Sequence, residues 1–587
     1  MRDGLRRVFT LDVRSIALMR IAAAAVLLWD TIDRIRHLAD HYFADSAIPF
    51  EVAEEYYKFL PTWSLHLLSE SPAYQTSLFV LQAVVACLLL VGWYGRIMAA
   101  ISWILFASLL ARVPPLLTGG DMLLCSLLFW LTLLPCSRCL SVHSKGKAPA
   151  GSVYSVATIA LLMQFVIMYT LTGIFKINSE WVDGDALQII LSDTGLAKPV
   201  GLWLTKFPLV LIVLTWGSIF LELAAQVLLL SPYQTHRIRT IGLIAFFGLH
   251  IGIFLTMEVL VFSIISIAGL IGLIPSSWWN IKPLAKLTQT SASDAVPATN
   301  IKTKLPRLSN VFACWGLVLF VTVACCHLFT YATGIYVSSK IQWVAHQFRF
   351  DQRWNMFDNP HGLCYRFIAE VRTADGKKID ILRSRDKETD NRTAPPNPTQ
   401  FQSGRWLLLY RQMVSDQYFL QRIHAVRYLA NHNPTRLDLP SAGDIDGKEI
   451  RLYVSVGSHE SRKTTPPSLM TYIDLRATGE YYLGEPHGTW IRHDDQGRLL
   501  STGTFDQGFR EGEWKNYHPN GQLATLGHFT DDQEHGEWTM WDADGLRTAN
   551  GFFEYGQQEG TWTFWYEDGQ SEQAEYVAGK RVEHQKP

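Results

Sequence analysis

Apolar residues dominate the first part of the chain in long unbroken runs. A bilayer core takes about 20 mostly apolar residues per helix. Runs that approach this length lie near 13–32, 75–94, 97–113, 121–136, 152–174, 207–231, 240–256, 258–275 and 309–333. The pattern predicts a polytopic α-helical membrane bundle of about nine helices over residues 1–335. The fourth and seventh runs are short, as for a tilted or re-entrant segment. The first run follows Arg2, Arg6 and Arg7 in the manner of a signal peptide. It also carries Arg20 and Asp30 and has no clean cleavage site, so it reads as a retained helix.

After residue 335 the long runs stop and period-two alternation begins. Residues 336–465 read as a small α+β module outside the membrane. Alternation at Tyr365-Arg-Phe-Ile-Ala-Glu-Val and at Lys378-Ile-Asp-Ile-Leu predicts two strands joined by a turn at Asp375-Gly376. A helix is expected near 414–431 and another strand at Ile450-Arg-Leu-Tyr-Val-Ser-Val. The 385–403 stretch, with Pro395, Pro396 and Pro398, reads as a loop.

Residues 470–587 repeat with a 24-residue period. Trp490, Trp514, Trp538 and Trp562 keep it, as do Gly488, Gly512, Gly536 and Gly560. So do Gly497, Gly521, Gly545 and Gly569, and Tyr481, Phe505, Phe529 and Phe553. Each unit fits two short strands, which predicts an all-β hairpin-repeat solenoid with an aromatic core. The glycine before each tryptophan is expected in a tight turn, and Asn520-Gly521 and Asp568-Gly569 read as hairpin-turn pairs. The outer charges Glu511, Glu513, Asp531, Asp532 and Glu559 read as a solvated face. The unit resembles MORN-type repeats in their bacterial variant form, which implies a protein partner for residues 479–580.

Charge adds orientation. Arg96, Arg138, Lys145, Lys147, Arg237, Arg239, Lys282, Lys286, Lys302, Lys304 and Arg307 fall in alternate loops, and the other loops hold fewer cations. This bias puts the N-terminus in the cytoplasm and, for an odd helix count, the C-terminal half outside, as in a bacterial inner membrane. The net charge of −1 gives no sign of nucleic-acid binding. The eight cysteines are scattered. Cys136 and Cys139 form a C-x-x-C near His143, but no second ligand pair accompanies them, and no metal site is expected.

Candidate chemistry comes from polar groups inside the apolar runs, which must face the bundle or a cavity. These are Arg20, Asp30, Asp121, Lys176, Glu222, His250 and Glu258. Each alone fits helix packing; together they fit a polar cavity opening outward.

The segment Tyr169-Thr-Leu-Thr-Gly-Ile-Phe-Lys176-Ile-Asn-Ser-Glu-Trp181-Val-Asp-Gly184 resembles the hallmark of the vitamin K-dependent γ-carboxylases and their bacterial HTTM relatives. Trp93-Tyr-Gly-Arg96, Gly119-Gly-Asp121, Phe220-Leu-Glu222-Leu, Leu249-His250 and Gln352-Arg-Trp354-Asn-Met356 follow in the family's order. The resemblance covers roughly residues 10–460. It implies that Lys176 is a base toward reduced vitamin K or menaquinone. Desolvation disfavours a charged lysine, and a neutral amine can take a proton. It also implies that His250 bonds an oxygen of the quinol or an intermediate, and that Asp121, Trp181, Glu222, Trp354 and Met356 bind substrate. The animal enzymes carry an Asn-His pair before the fourth helix, where this chain runs Thr118-Gly-Gly-Asp121, which puts glutamate carboxylation in question.

Two readings remain. One is an enzyme that oxidises a quinol at Lys176, with or without carboxylation of a peptide glutamate. The other is a non-catalytic membrane anchor that binds lipid or quinone and presents the repeats to an envelope partner. In the second, Lys176 snorkels to the headgroups beside an interfacial Trp181.

Overall fold

The computed structural model describes residues 2–44, 46–57, 62–144, 151–192, 196–280, 307–333, 339–352, 354, 363–372, 378–380, 405, 408–409, 449–458, 468–474, 477–482, 485–494, 498–506, 508–566 and 568–582. Met356, the turn at 375–376, the loop at 385–403 and the helix near 414–431 lie outside these residues. The chain divides into two compact units. The first comprises residues 1–366, 395–412 and 456–465; the second comprises 367–394, 413–455 and 466–587.

The first unit is helical. Among the described residues, six helices are long and apolar enough to span a membrane: α1 (Val13–Arg36), α2 (Pro72–Val91), α3 (Gly95–Arg112), α5 (Val156–Phe175), α7 (Thr235–Thr256) and α9 (Arg307–Thr333). Three shorter apolar helices join them among the described residues: α4 (Gly119–Leu133), α6 (Pro208–Leu223) and α8 (Phe262–Ile271). The starts are chemically marked. Asp12 caps α1 by accepting from the Arg14 amide. Thr118 with Asp121, and Ser155 with Thr158, form reciprocal capping boxes at α4 and α5. Pro72 opens α2, and Gly92 ends it in the left-handed region at φ 74°.

Three expected spans change. The seventh is not short. It runs 22 residues from Thr235, because Arg239 in its first turns is buried rather than solvated. That guanidinium donates to the Val8 and Leu229 carbonyls, so the charge that ended the apolar run does not end the helix. The sixth run breaks at Ala224 into α6 and a one-turn-and-a-half helix, Ala225–Leu230. The break falls where Leu223 packs against Gly173 and Glu222 turns toward α5. The eighth run yields only the ten residues of α8. At 1.5 Å per residue that is about 15 Å, half a bilayer core.

Four strands outside the repeats, Leu363–Arg372, Lys378–Asp380, Glu449–Ser458 and Ser468–Asp474, form one sheet. The first two pair antiparallel around residues 373–377, and the predicted strand at 450–456 lies inside the third.

The repeats form one ten-stranded sheet in sequence order: β1 (Ala477–Tyr482), β2 (Glu485–His493), β3 (Leu499–Asp506), β4 (Phe509–Tyr517), β5 (Leu523–Thr530), β6 (Gln533–Trp541), β7 (Arg547–Glu554), β8 (Gln557–Trp565), β9 (Ser571–Val577) and β10 (Lys580–Arg581). Asn520-Gly521 and Asp568-Gly569 do sit in connecting turns. The opposite end has two-residue turns at Asp531-Asp532, Tyr555-Gly556 and Ala578-Gly579, each with both φ positive. Such mirror-image turns match the twist of a hairpin.

Gly488, Gly512, Gly536 and Gly560 are not in turns. Each lies inside a strand with φ between 67° and 83°. Their purpose shows in the register. On β4, residues 512–514 stand against Gly503 alone; 536–538 on β6 face Gly527, and 560–562 on β8 face Gly551. The positive φ opens a bulge that swings the next-but-one tryptophan over the bare glycine. A Cβ on Gly503, Gly527 or Gly551 would lie 2.1–2.2 Å from that ring. The indoles of Trp514, Trp538 and Trp562 donate to Thr504, His528 and Phe552 carbonyls at 2.9–3.1 Å. Between tryptophans stand Phe505, Phe529 and Phe553, edge-on at 4.9–6.0 Å.

Two substitutions test this interlock. Gly527→Ala should cost about 1–3 kcal/mol by overpacking. Trp538→Ala should cost about 3–5 kcal/mol by leaving a cavity. Both should speed amide exchange across 523–541 in the full chain. Unchanged exchange in Gly527→Ala would refute the interlock.

Candidate functional site

Lys176 is the C-cap residue of α5. The chain turns there, through Asn178, whose side chain accepts from the Trp181 amide and starts a short helix, Ser179–Val182. The turn buries both Lys176 and Trp181, to 6% and 2% exposure. The Lys176 Nζ donates to both carboxylate oxygens of Glu222 on α6, at 2.7 and 2.9 Å. It also stands 4.6 Å from the centre of the Trp181 ring, a cation–π contact. Lys176 thus does not reach toward headgroups; its amine is turned into the protein.

In front of this amine is a cavity of about 430 Å³ between α6, α7 and the segment that follows Lys176. Leu214, Gly217 and Ser218 of α6, Gly248, Leu249 and Gly252 of α7, and Trp181, Ile190 and Leu191 line it. Lys176 is the one charged group among the lining residues. A Cβ placed on Gly217, Gly248 or Gly252 meets nothing within 4 Å, so the glycines open the wall between the two helices. Val213 and Leu214 at the rim are exposed. The expectation of a polar cavity therefore changes: the space is apolar, with one polar end.

His250 does not line it. The residue sits on another face of α7, where its Nε2 and the Tyr169 hydroxyl are 2.8 Å apart. Phe246 stacks on Tyr169 at 4.0 Å, and Phe262 of α8 meets His250 edge-on. The His250 Nδ1 is buried without a hydrogen-bond partner. Tyr169 is thus a site neighbour that sequence reading did not single out. The signal was its position seven residues before Lys176, on the same face of α5.

Asp121 belongs to a second buried group. One of its oxygens accepts from Arg34 at 2.7 Å and from Arg405 at 3.3 Å, and the other closes the Thr118 capping box. Asp30 accepts from Arg34 at 2.7 Å and from Arg405. Arg34 also donates to the Tyr42 hydroxyl. Two carboxylates and two guanidiniums close a neutral ring with no solvent-exposed member. Asp121 is thereby committed to holding α1, α4 and the Arg405 segment together, away from Lys176. Arg34 could have been found as the i+4 partner of Asp30; Arg405 lies 375 residues from Asp30 and had no local signal.

Trp354 is buried with its Nε1 unpartnered, and it does not line the Lys176 cavity. Its neighbour Gln352 donates to the Met122 carbonyl of α4 at 3.0 Å. Asp351 accepts from His346 at 2.6 Å. Burial pushes the Asp351 carboxyl up, but the His346 bond and charge, the Arg349 charge and a backbone hydrogen bond together outweigh it and hold the group below its usual range. Glu258, also expected near the cavity, pairs with Lys198 at 3.5 Å near the surface. Among the described residues no group of three or more His, Cys, Asp or Glu is placed to hold a metal ion.

Residues 9–279 match the family model of the HTTM domain, a domain related to the vitamin K-dependent carboxylases. Residues 510–531 and 558–577 match that of the MORN repeat variant. No curated protein matches the chain.

The ring around Asp121 yields a direct test. Arg405→Ala leaves two buried carboxylates against one guanidinium and should cost about 3–5 kcal/mol. Adding Asp121→Asn should return part of that stability, because it restores charge balance. Thermal unfolding of the unaltered protein, both single variants and the double variant in one detergent reads the cycle; additive losses would show that the four groups do not act together.

Proposed function

We propose that this membrane protein, an HTTM domain joined to MORN-variant repeats, binds a lipid-soluble quinol in the cavity between α6 and α7 and oxidises it with Lys176 as base. The observation that carries this reading is a single buried amine at the head of an otherwise apolar cavity. The volume of about 430 Å³ lies within the range for small-molecule sites. The gap at Gly217, Gly248 and Gly252, beside the exposed Val213 and Leu214, suits entry of an apolar tail from the bilayer.

The residues divide the work. A reduced naphthoquinone, when bound, would supply a weakly acidic hydroxyl and four electrons to one molecule of oxygen, of which one atom enters the epoxide and the other leaves as water. Transfer of a proton from Lys176 to Glu222, bonded to it through both oxygens, leaves a neutral Nζ that takes the hydroxyl proton. Trp181 fixes the amine from one side and walls the cavity. The Leu and Ile lining keeps water from a base that would otherwise be solvated. His250 and Tyr169 stand behind this wall and fit a positioning role better than contact with the ligand. Carboxylation of a peptide glutamate would need further groups, and the reading stops at the quinol.

The complete pairing of Lys176 by Glu222 and Trp181 also supports a second reading. In it the pair ties α5 to α6, and the domain anchors the repeats while holding lipid or quinone without turnover. In both readings we place the N-terminus in the cytoplasm and the repeats outside, in a bacterial inner membrane, from the distribution of Lys and Arg.

The protein in nanodiscs, given reduced menaquinone and oxygen, should form the quinone epoxide, detectable by mass spectrometry. Lys176→Ala should lower the rate by about 100-fold or more. Gly248→Phe should fill the cavity and abolish both binding and turnover at unchanged thermal stability. Absence of epoxide from the unaltered protein would end the enzymatic reading; retained menaquinone binding would then leave the second.

A further inference from the structure

The chain carries almost no net charge, but its repeats do not share that balance. Residues 477–587 hold 20 Asp and Glu against 8 Lys and Arg, a net of −12, in a chain whose total is −1. Repeats of this class commonly bind membranes or proteins. A sheet of this charge is repelled by anionic headgroups, so of those two partners the charge selects a protein, and a cationic one.

The register locates the surface. Side chains alternate across a sheet, so Glu513 and Glu537, next to the buried Trp514 and Trp538, face away from the aromatic core. Glu513 stands opposite His528, Glu537 opposite Phe552, and Phe552 opposite Glu559. Glu537, Phe552 and Glu559 form one row across β6 to β8, with Phe552, 45% exposed, between the carboxylates; Glu513 stands one repeat before Glu537, offset from that row by the bulge that sets His528 against His535. Strands lie about 4.8 Å apart, so the carboxylates repeat at about 10 Å across the strands. An α-helix rises about 10.5 Å in seven residues. The two spacings coincide.

We propose that this outer face of the repeat sheet is a docking surface for a basic helix of another protein, which crosses the strands with Lys or Arg at every seventh position. The apolar side of that helix rests on Phe552, and its cations meet Glu513, Glu537 and Glu559. The Glu537 and Glu559 carboxylates also accept from Asn550 and from the Ala578 amide, and Glu513 pairs with Lys515 at 2.7 Å, which fixes their rotamers before any partner arrives. The proposal is independent of the chemistry at Lys176.

The test uses the full chain in phosphatidylcholine nanodiscs. The probe is a fluorescent 21-residue helical peptide with Lys at positions 3, 10 and 17, read by anisotropy. Its binding should weaken about tenfold between low and 0.3 M salt. The triple variant Glu513→Gln, Glu537→Gln, Glu559→Gln keeps every acceptor and should also weaken it about tenfold. A control that removes the same charge elsewhere on the sheet, Asp531→Asn, Asp544→Asn, Glu554→Gln, should change it less than about threefold. Equal losses in the two triples would show bulk attraction and overturn the surface. No binding of the probe by the unaltered protein would overturn it also. Co-sedimentation with phosphatidylglycerol vesicles that the first triple abolishes would put a lipid there instead of a helix.

Discussion

Hydrocarbon offers no partner to a charge, and the helical unit is organised around that fact. Two kinds of partner recur among its buried ions. Some are matched by opposite ions: Arg34 and Arg405 with Asp30 and Asp121, and Lys176 with Glu222. Others are matched by helix ends. Arg20 donates to the Leu89 and Leu90 carbonyls at the end of α2, and Arg239 to Leu229 at the end of the helix after α6. A helix C-terminus presents unpaired carbonyls and the negative end of its dipole, so a guanidinium there satisfies both partners. Gly92 is part of this arrangement. A Cβ at that position would lie 2.1 Å from Arg20 Nη1, and the left-handed backbone there already favours glycine. Each ion thereby fixes where two elements meet.

The same constraint explains what was legible in the sequence. Apolar runs report the cost of leaving the bilayer, so the nine apolar helices among the described residues lie near the expected runs. The ends were less legible. Arg239 looks like a terminus by hydropathy but is an interior residue with two carbonyl partners. The candidate residues were chosen by the same logic; Arg20, Asp30, Asp121, Lys176, Glu222 and His250 are buried, and Glu258 is part-exposed. What hydropathy lacks is direction. Asp30, Asp121, Lys176 and Glu258 share a depth on the linear reading, but they belong to three different groups in space. Pairings such as Arg405 with Asp30, or Tyr169 with His250, join residues far apart in the chain, and no local pattern encodes them.

The repeats were legible for the opposite reason: their information is local and recurs. The period gave the hairpins, and the aromatic rows gave the core. The glycine two places before each tryptophan was expected in a turn because glycine at positive φ is commonest there. The second glycine row, at 503, 527 and 551, decides between turn and bulge. It makes sense only if something large lies on top of it, and the tryptophan of the next strand is that object.

The tryptophan-over-glycine stack has a consequence for how this sheet can change in length. A strand shifted by one residue turns its core side chains outward, and here it would also drive a ring into a Cβ. Insertions or deletions inside a unit are therefore penalised twice, whereas gain or loss of a whole unit leaves every ring over its glycine. Growth of this domain is quantised: 24 residues, two strands, about 10 Å. The sheet is a ruler whose divisions are set by a ring and the missing carbon beneath it.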